Sequence, residues 1–331
     1  MSNAPASVRL RDKIPSSGSK SLWKWGAGAA GAAAAGAAAF NALRARRAEE
    51  ANPPSGSFVE AEGVRLHYLE KGSGPLVILL HGNATMAQDW VASGVFDALA
   101  ATNRVIAFDR PGFGHSERPR TTVWTAAAQA RLISAALEAL GCPPATIVGH
   151  SFATMVAAEM ALDHPQVVKS LVLIGGYYYP SARVDAVLAS PPAIPVLGDA
   201  IRYTVSPFLA AAMKPGMEAQ IFAPAPVSKG WEERFPFEMT LRPSQIRAAA
   251  AEAALTVAGA SSLAPRVAGL ALPVTLIAGD GDKVVSTQGQ SGRLAGALAQ
   301  SELLIVGGAG HMVHHTACDS VTSAIRAASK G

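Results

Sequence analysis

A continuous apolar run at 76–80 and similar short runs rich in Val, Ile and Leu at 104–108, 145–148, 168–174, 274–278 and 303–306 recur along the chain. Runs of this length without polar alternation describe strands covered on both faces, as in a parallel sheet packed between helices. Segments 58–61 and 64–69 differ: they alternate, and Glu62-Gly63 separates them. That pattern predicts a β-hairpin at a sheet edge. Helix-length stretches at 125–140, 154–162, 288–298 and 320–328 lie between the runs. Strand and helix therefore alternate, which predicts an α/β fold with a mostly parallel, doubly wound sheet.

Residues 177–265 break the alternation, with Pro, Ala and scattered aromatics in helical rather than strand-like spacing. A structureless loop of that length is uncommon inside a compact domain, so a helical cap over the C-terminal edge of the sheet is expected. The core then comprises 56–176 and 266–331.

The first 55 residues read differently. Residues 1–21 are polar and basic, as in a disordered tail, and 52–56 (Asn-Pro-Pro-Ser-Gly) form a linker by composition. Between them, 26–43 carry no charged side chain and consist almost entirely of Ala and Gly. Trp23 and Trp25 precede this stretch, and Arg44, Arg46 and Arg47 follow it. Interfacial aromatics and flanking cations are features of a membrane helix, so membrane association through 22–47 is expected. Eighteen residues is near the lower limit for a span, and Ala and Gly are weakly hydrophobic, so a cleaved targeting segment or a soluble Ala-rich helix stays open. Cytoplasmic or exported placement stays open with them.

Charge sharpens this division. Residues 1–50 hold eight basic side chains against three acidic ones, whereas the remainder holds 20 against 21. The basic balance belongs to the tail, and nucleic acid is not an expected partner of the main domain. Cys142 and Cys318 lack metal-ligand spacing and read as two reduced thiols.

The chemistry concentrates where strands end. Val148-Gly149-His150-Ser151-Phe152-Ala153 follows a predicted strand and precedes a predicted helix. This is the setting of G-x-S-x-G, in which a sharp turn holds the serine in a strained conformation clear of the sheet. Positions two before and two after the serine must be small; Gly149 satisfies the first, and Ala153 departs by one methyl at the second. With this motif in place, residues 56–331 resemble the α/β-hydrolase superfamily. Leu80-His81-Gly82-Asn83-Ala84 is similar to that family's His-Gly loop, and Asp109–Ser116 to its turn after the fourth strand.

The resemblance implies an oxyanion hole made by the amides of Phe152 and Asn83, with His81 bracing the loop. It implies the chain order serine, acid, histidine. Gly279-Asp280-Gly281-Asp282 matches the family's Gly-x-x-Asp at Asp282, with Asp280 as competitor, and Gly308-Ala309-Gly310-His311 supplies the histidine. His314 and His315 are close by but lack the Gly-His pairing, and no metal or cofactor is expected. Ser116, beside His115, lacks an elbow to activate it. The implied activity is acyl transfer to water: a serine hydrolase acting on a small hydrophobic carboxylic ester. Thioesterase, C–C hydrolase and perhydrolase chemistry remain alternatives, as does a non-catalytic, membrane-tethered accessory or binding protein on the same scaffold.

Overall fold

In the computed structural model, which describes residues 18–330, the six apolar runs form the parallel part of one eight-stranded sheet. The strands are β1 (Ser57–Ala61), β2 (Val64–Lys71), β3 (Leu76–Leu80), β4 (Arg104–Phe108), β5 (Ala145–His150), β6 (Val168–Ile174), β7 (Val274–Gly279) and β8 (Ser301–Val306). Their order across the sheet is β1-β2-β4-β3-β5-β6-β7-β8. β1 and β2 form the expected edge hairpin, β2 pairs antiparallel with β4, and all other pairs are parallel.

The buried strands explain their own lack of alternation. In β3, Ile78 and Leu80 join the core on one face while Val77 and Leu79 join the core on the other. Three N-terminal helices precede or interleave the first strands: α1 (Gly18–Ala51), then α2 (Gln88–Ala92) and α3 (Val95–Ala100). The face beside β1 is covered by α4 (Ala126–Ala139) and α5 (Ala153–Asp163). The Thr125 side chain caps α4 by accepting from the Ala128 amide.

Residues 177–265 fold into helices, as their composition predicts: α6 (Val184–Ala189), α7 (Leu197–Thr204), α8 (Ser206–Phe222), α9 (Lys229–Arg234), α10 (Phe237–Thr240) and α11 (Pro243–Leu263). The opening tyrosines of this stretch pack with the sheet instead. Tyr177, Tyr178 and Tyr179 are buried in the main core, and Gln290 Oε1 accepts from the amides of Tyr178 and Tyr179 at 2.7 and 2.8 Å. The chain closes with α12 (Arg293–Ala297), α13 (Val313–Thr316) and α14 (Cys318–Lys330), the last packing with α2 and α3 on the second face.

The expected membrane helix over 26–43 is corrected here. Helix α1 runs unbroken through Ala51, and no helix among the described residues is long and apolar enough to cross a membrane. Alanine and glycine supply too little hydrophobicity, and the C-terminal part of α1 is committed to protein contacts. Asn41 is buried and donates to the Tyr203 and Thr204 carbonyls at 2.9 and 3.2 Å; Phe40 stacks on Phe208. Arg44 pairs with Glu238, Glu49 with Arg242, and Ala48 packs beside Trp231 and Met239. Of the tail expected to be disordered, residues 1–17 lie outside the described residues, and 18–21 are the first turn of α1.

Candidate active site

The chain leaves β3 toward β4 on one side and later enters β5 on the other, so the crevice at the C-terminal ends of β3 and β5 is a topological switch point. Two of the expected site segments emerge there. Ser151 stands between β5 and α5 with φ of 53°, a left-handed backbone that costs a non-glycine residue energy and turns the hydroxyl out of the sheet. Its amide donates to the Ile174 carbonyl at 2.9 Å, and Thr154 Oγ1 donates to its carbonyl at 2.7 Å. A Cβ on Gly149 would stand 2.6 Å from the Ala153 carbonyl oxygen, so the tightness of the turn requires glycine there.

His311 comes from the loop between β8 and α13. Its Nε2 lies 2.9 Å from Ser151 Oγ, and its Nδ1 lies 2.8 Å from Asp282 Oδ2. The imidazole and the Asp282 side chain are both buried. Asp282 Oδ1 accepts from the amides of Val284 and Val285 at 2.7 and 2.9 Å, fixing the carboxylate. Burial alone would raise the Asp282 pKa, but the facing His311 and the two amides outweigh it and hold the carboxyl below its ordinary value. The competitor Asp280 serves its own loop instead, accepting from the Gly308 amide at 2.8 Å. Ser116 Oγ donates to the Asp109 carbonyl at 2.6 Å and accepts from the His67 amide, so it is committed to its own turn.

Asn83 and Phe152 line one cavity with Ser151. The Asn83 side chain is occupied by its own loop and by α11, with Oδ1 accepting from Ala84 N and Nδ2 donating to the Ala249 carbonyl. His81 braces the same loop: its Nδ1 bonds the Gly82 carbonyl and its Nε2 accepts from the Arg110 amide. Complete burial, then the nearby Arg110 charge, push His81 down to about 3, against the opposing pull of Asp109.

A residue outside the expected site stabilises this loop. Arg110 is fully buried and donates to the carbonyls of His81 and Gly82 at 2.7 and 2.8 Å. Its guanidinium also forms a two-pronged pair with Glu252 on α11. A partner 142 positions away leaves no signal in local sequence.

The cluster of histidines after His311 has a further partner. Asp89, fully buried on α2, accepts from His315 Nε2 at 2.7 Å and from His314 Nε2 at 3.2 Å. These are the groups whose ligand atoms lie close enough to hold a cation. As they stand, each imidazole bonds the carboxylate, and His315 Nδ1 faces the Ser228 hydroxyl at 3.1 Å. His150 Nε2 donates to the His311 carbonyl at 3.1 Å, tying this cluster to the loop that carries His311.

The cavity at Ser151 encloses about 130 Å³ and is edged by Tyr177, Arg183 and Asp185. Asn83 and Ala189 also line a second cleft of about 330 Å³ between α8, α10 and α11, with Ile221, Trp231, Phe235 and Phe237 among its walls. A small chamber of mixed polar and apolar lining thus adjoins a larger apolar one.

A family model described as alpha/beta hydrolase fold matches residues 75–317. The 2-hydroxymuconate semialdehyde hydrolase of Pseudomonas sp. (strain CF600) is 33% identical over 144 residues, 42% of this chain and 51% of that protein. The dihydrolipoyllysine-residue acetyltransferase component of the acetoin cleaving system of Cupriavidus necator is 35% identical over 127 residues, 38% of this chain and 33% of that protein. The matches therefore span from a third to about half of these curated relatives. Among solved structures, the enol-lactonase from Burkholderia xenovorans LB400 superposes with a TM-score of 0.68 at 19% identity, covering 83% of this chain and all of that one. A membrane phospholipase A superposes at 0.64 and 22% identity, covering 94% and 97%. At these identities the two structures are similar in fold.

Proposed function

The chain belongs to the α/β-hydrolase fold family, and on that premise we propose that it is a serine hydrolase cleaving hydrophobic carboxylic esters. The observation that carries this reading is the unbroken hydrogen-bonded series Ser151 Oγ, His311, Asp282. Ser151 attacks the ester carbonyl while His311 Nε2 takes its proton; Asp282 holds Nδ1–H and supports the imidazolium that forms. The amides of Asn83 and Phe152 receive the oxyanion. His311 returns the proton to the departing alcohol, the C–O bond breaks, and an acyl-serine remains. Water attacks that ester as His311 accepts its proton; His311 then gives the proton to Ser151 Oγ as the acyl C–O bond breaks, releasing the carboxylic acid and restoring Ser151.

The apolar cleft beside the Ser151 chamber supports a hydrophobic acyl group, since its walls offer aromatic and aliphatic surface. The test is a p-nitrophenyl ester series on the purified protein, with fluorophosphonate labelling. Activity should rise with acyl length; a preference for acetate counts against the hydrophobic substrate. Ser151→Ala should lower kcat by on the order of 10⁶ and abolish labelling; retained labelling refutes Ser151 as nucleophile.

A second reading is favoured by similarity to 2-hydroxymuconate semialdehyde hydrolase: cleavage of a carbon–carbon bond beside a carbonyl by the same three side chains. Turnover of that semialdehyde above turnover of every ester in the series would favour it.

A further inference from the structure

A concentration of positive charge lies away from Ser151, where α1, the turn after β4, α7 and the start of α11 meet. A cavity of about 410 Å³ there is lined by Arg118, Arg120, Arg202, Arg242, Arg247 and Ser244, among others. The acidic groups nearby are largely committed. Asp199 serves both Arg120 and Arg202, and Glu49 serves Arg242. Glu252 lies 4.0 Å from Arg118 but is already held in two prongs by Arg110. Glu117, the remaining carboxylate at the cavity, accepts from the Arg65 amide. Among the described residues, Arg247 has no ion-pair partner.

A second observation points the same way. Arg202 is buried, its side chain 5% exposed, and its Nε has no hydrogen-bond partner among the described residues. A buried guanidinium N–H without an acceptor is costly and rare in native proteins. Arg118, also buried, is pushed down to about 10, first by burial and then by the neighbouring Arg110 and Arg247 charges, with Glu252 opposing. Like charges gathered in a shielded recess are unfavourable without a counter-ion. The first turn of α11, carrying Ser244, adds the positive end of a 21-residue helix.

We propose that this recess binds a phosphate-type anion. Planar guanidinium groups suit the tetrahedral oxygens of phosphate by forked donation, and its negative charge offsets the excess positive charge. The group could be carried by a small phosphorylated molecule or by a lipid headgroup. Bound there, it would join α1, the turn after β4 and the helices over the sheet. This inference does not rest on the hydrolase reading, because none of the three residues of the Ser151–His311–Asp282 series lines the recess.

The full-length protein is tested with two probes: inorganic phosphate, by calorimetry and thermal shift against chloride at matched ionic strength, and phosphatidylglycerol vesicles against phosphatidylcholine, by flotation. Arg247→Ala, at a half-buried position, and Arg118→Gln are compared with Arg131→Ala, which removes an exposed arginine elsewhere. The expected result is saturable binding of one probe, weakened about tenfold or more by Arg247→Ala and unchanged by Arg131→Ala. Phosphate binding identifies a soluble ligand, and phosphatidylglycerol binding alone identifies a headgroup. Binding of neither probe by the wild type, or binding that Arg247→Ala leaves intact, overturns the proposal even where Arg118→Gln fails to fold.

Discussion

At the scale of single residues, the site depends on charges placed where water does not reach. Arg110 and Glu252 are both fully buried, and the arginine spends its remaining donors on His81, Gly82 and Gln129. Removing one member of such a pair leaves the other desolvated and alone. Glu252→Ala should therefore destabilise the protein by about 3–5 kcal/mol, as read from urea denaturation. It should also lower activity, because the freed Arg110 no longer holds the loop carrying Asn83. A loss below about 1 kcal/mol would mean that water enters and hydrates Arg110. Asp109 does similar work next door. Its carboxylate bonds His67 Nδ1 at 2.7 Å and the Ala87 and His115 amides, and a Cβ on Gly114 would collide with it. This packing explains why the Asp109–Ser116 turn requires glycine at 114.

At the scale of elements, α1 makes the least expected contribution. The Asn41 amide covers the last carbonyls of α7, groups that a helix end leaves without internal partners. Asn41→Ala should cost about 1–2 kcal/mol and speed hydrogen exchange at the end of α7 while leaving the exchange of β5 and β6 unchanged. Uniform acceleration across the sheet would show that α1 supports the whole fold instead. Asn41, Arg44 and Ala48 recur at helical spacing on the docked side, and Asn41 was the one polar interruption of the Ala and Gly run. That residue was the available sign of packing, but a run of near-uniform small residues has no contrasting stripe to set against it. The sheet was far more legible. Strands such as Leu76–Leu80 and Val168–Ile174 are bounded as the apolar runs predict, because burial on both faces selects Val, Ile and Leu throughout the first and over Leu171–Ile174 of the second. By contrast α2 and α3, five and six residues long, are too short for a helical period to show, and α2 carries Asp89. The Ser151, His311 and Asp282 segments were legible because each follows a strand end, whereas Arg110 with Glu252 and Asp89 with the histidines are joined only by the fold.

At the scale of the whole molecule, these buried groups make stability depend on acid in two stages. His81 and His150 are held neutral in the native protein, both mainly by burial, His81 down to about 3 and His150 well below its ordinary value. As pH falls through about 6.5, the unfolded chain takes up protons there that the native state refuses, so stability declines. For His81 alone the penalty at pH 5 is roughly 2 kcal/mol. Asp89, Asp109 and Asp282 act lower on the scale. Burial opposes their charge, but their histidine partners and the amides on Asp109 and Asp282 hold all three below the ordinary carboxylate range. Carboxylates depressed in this way stabilise the native state above about pH 4, and that stabilisation is lost as pH falls toward their native values. The melting temperature should therefore be flat above about pH 7, fall by several degrees by about pH 5, and drop more steeply below about pH 4. Differential scanning calorimetry across that range in a buffer without phosphate separates the stages. An unchanged Tm between neutrality and the carboxylate range would mean that the buried imidazoles take up protons without unfolding, which the closed packing around His81 and His150 opposes.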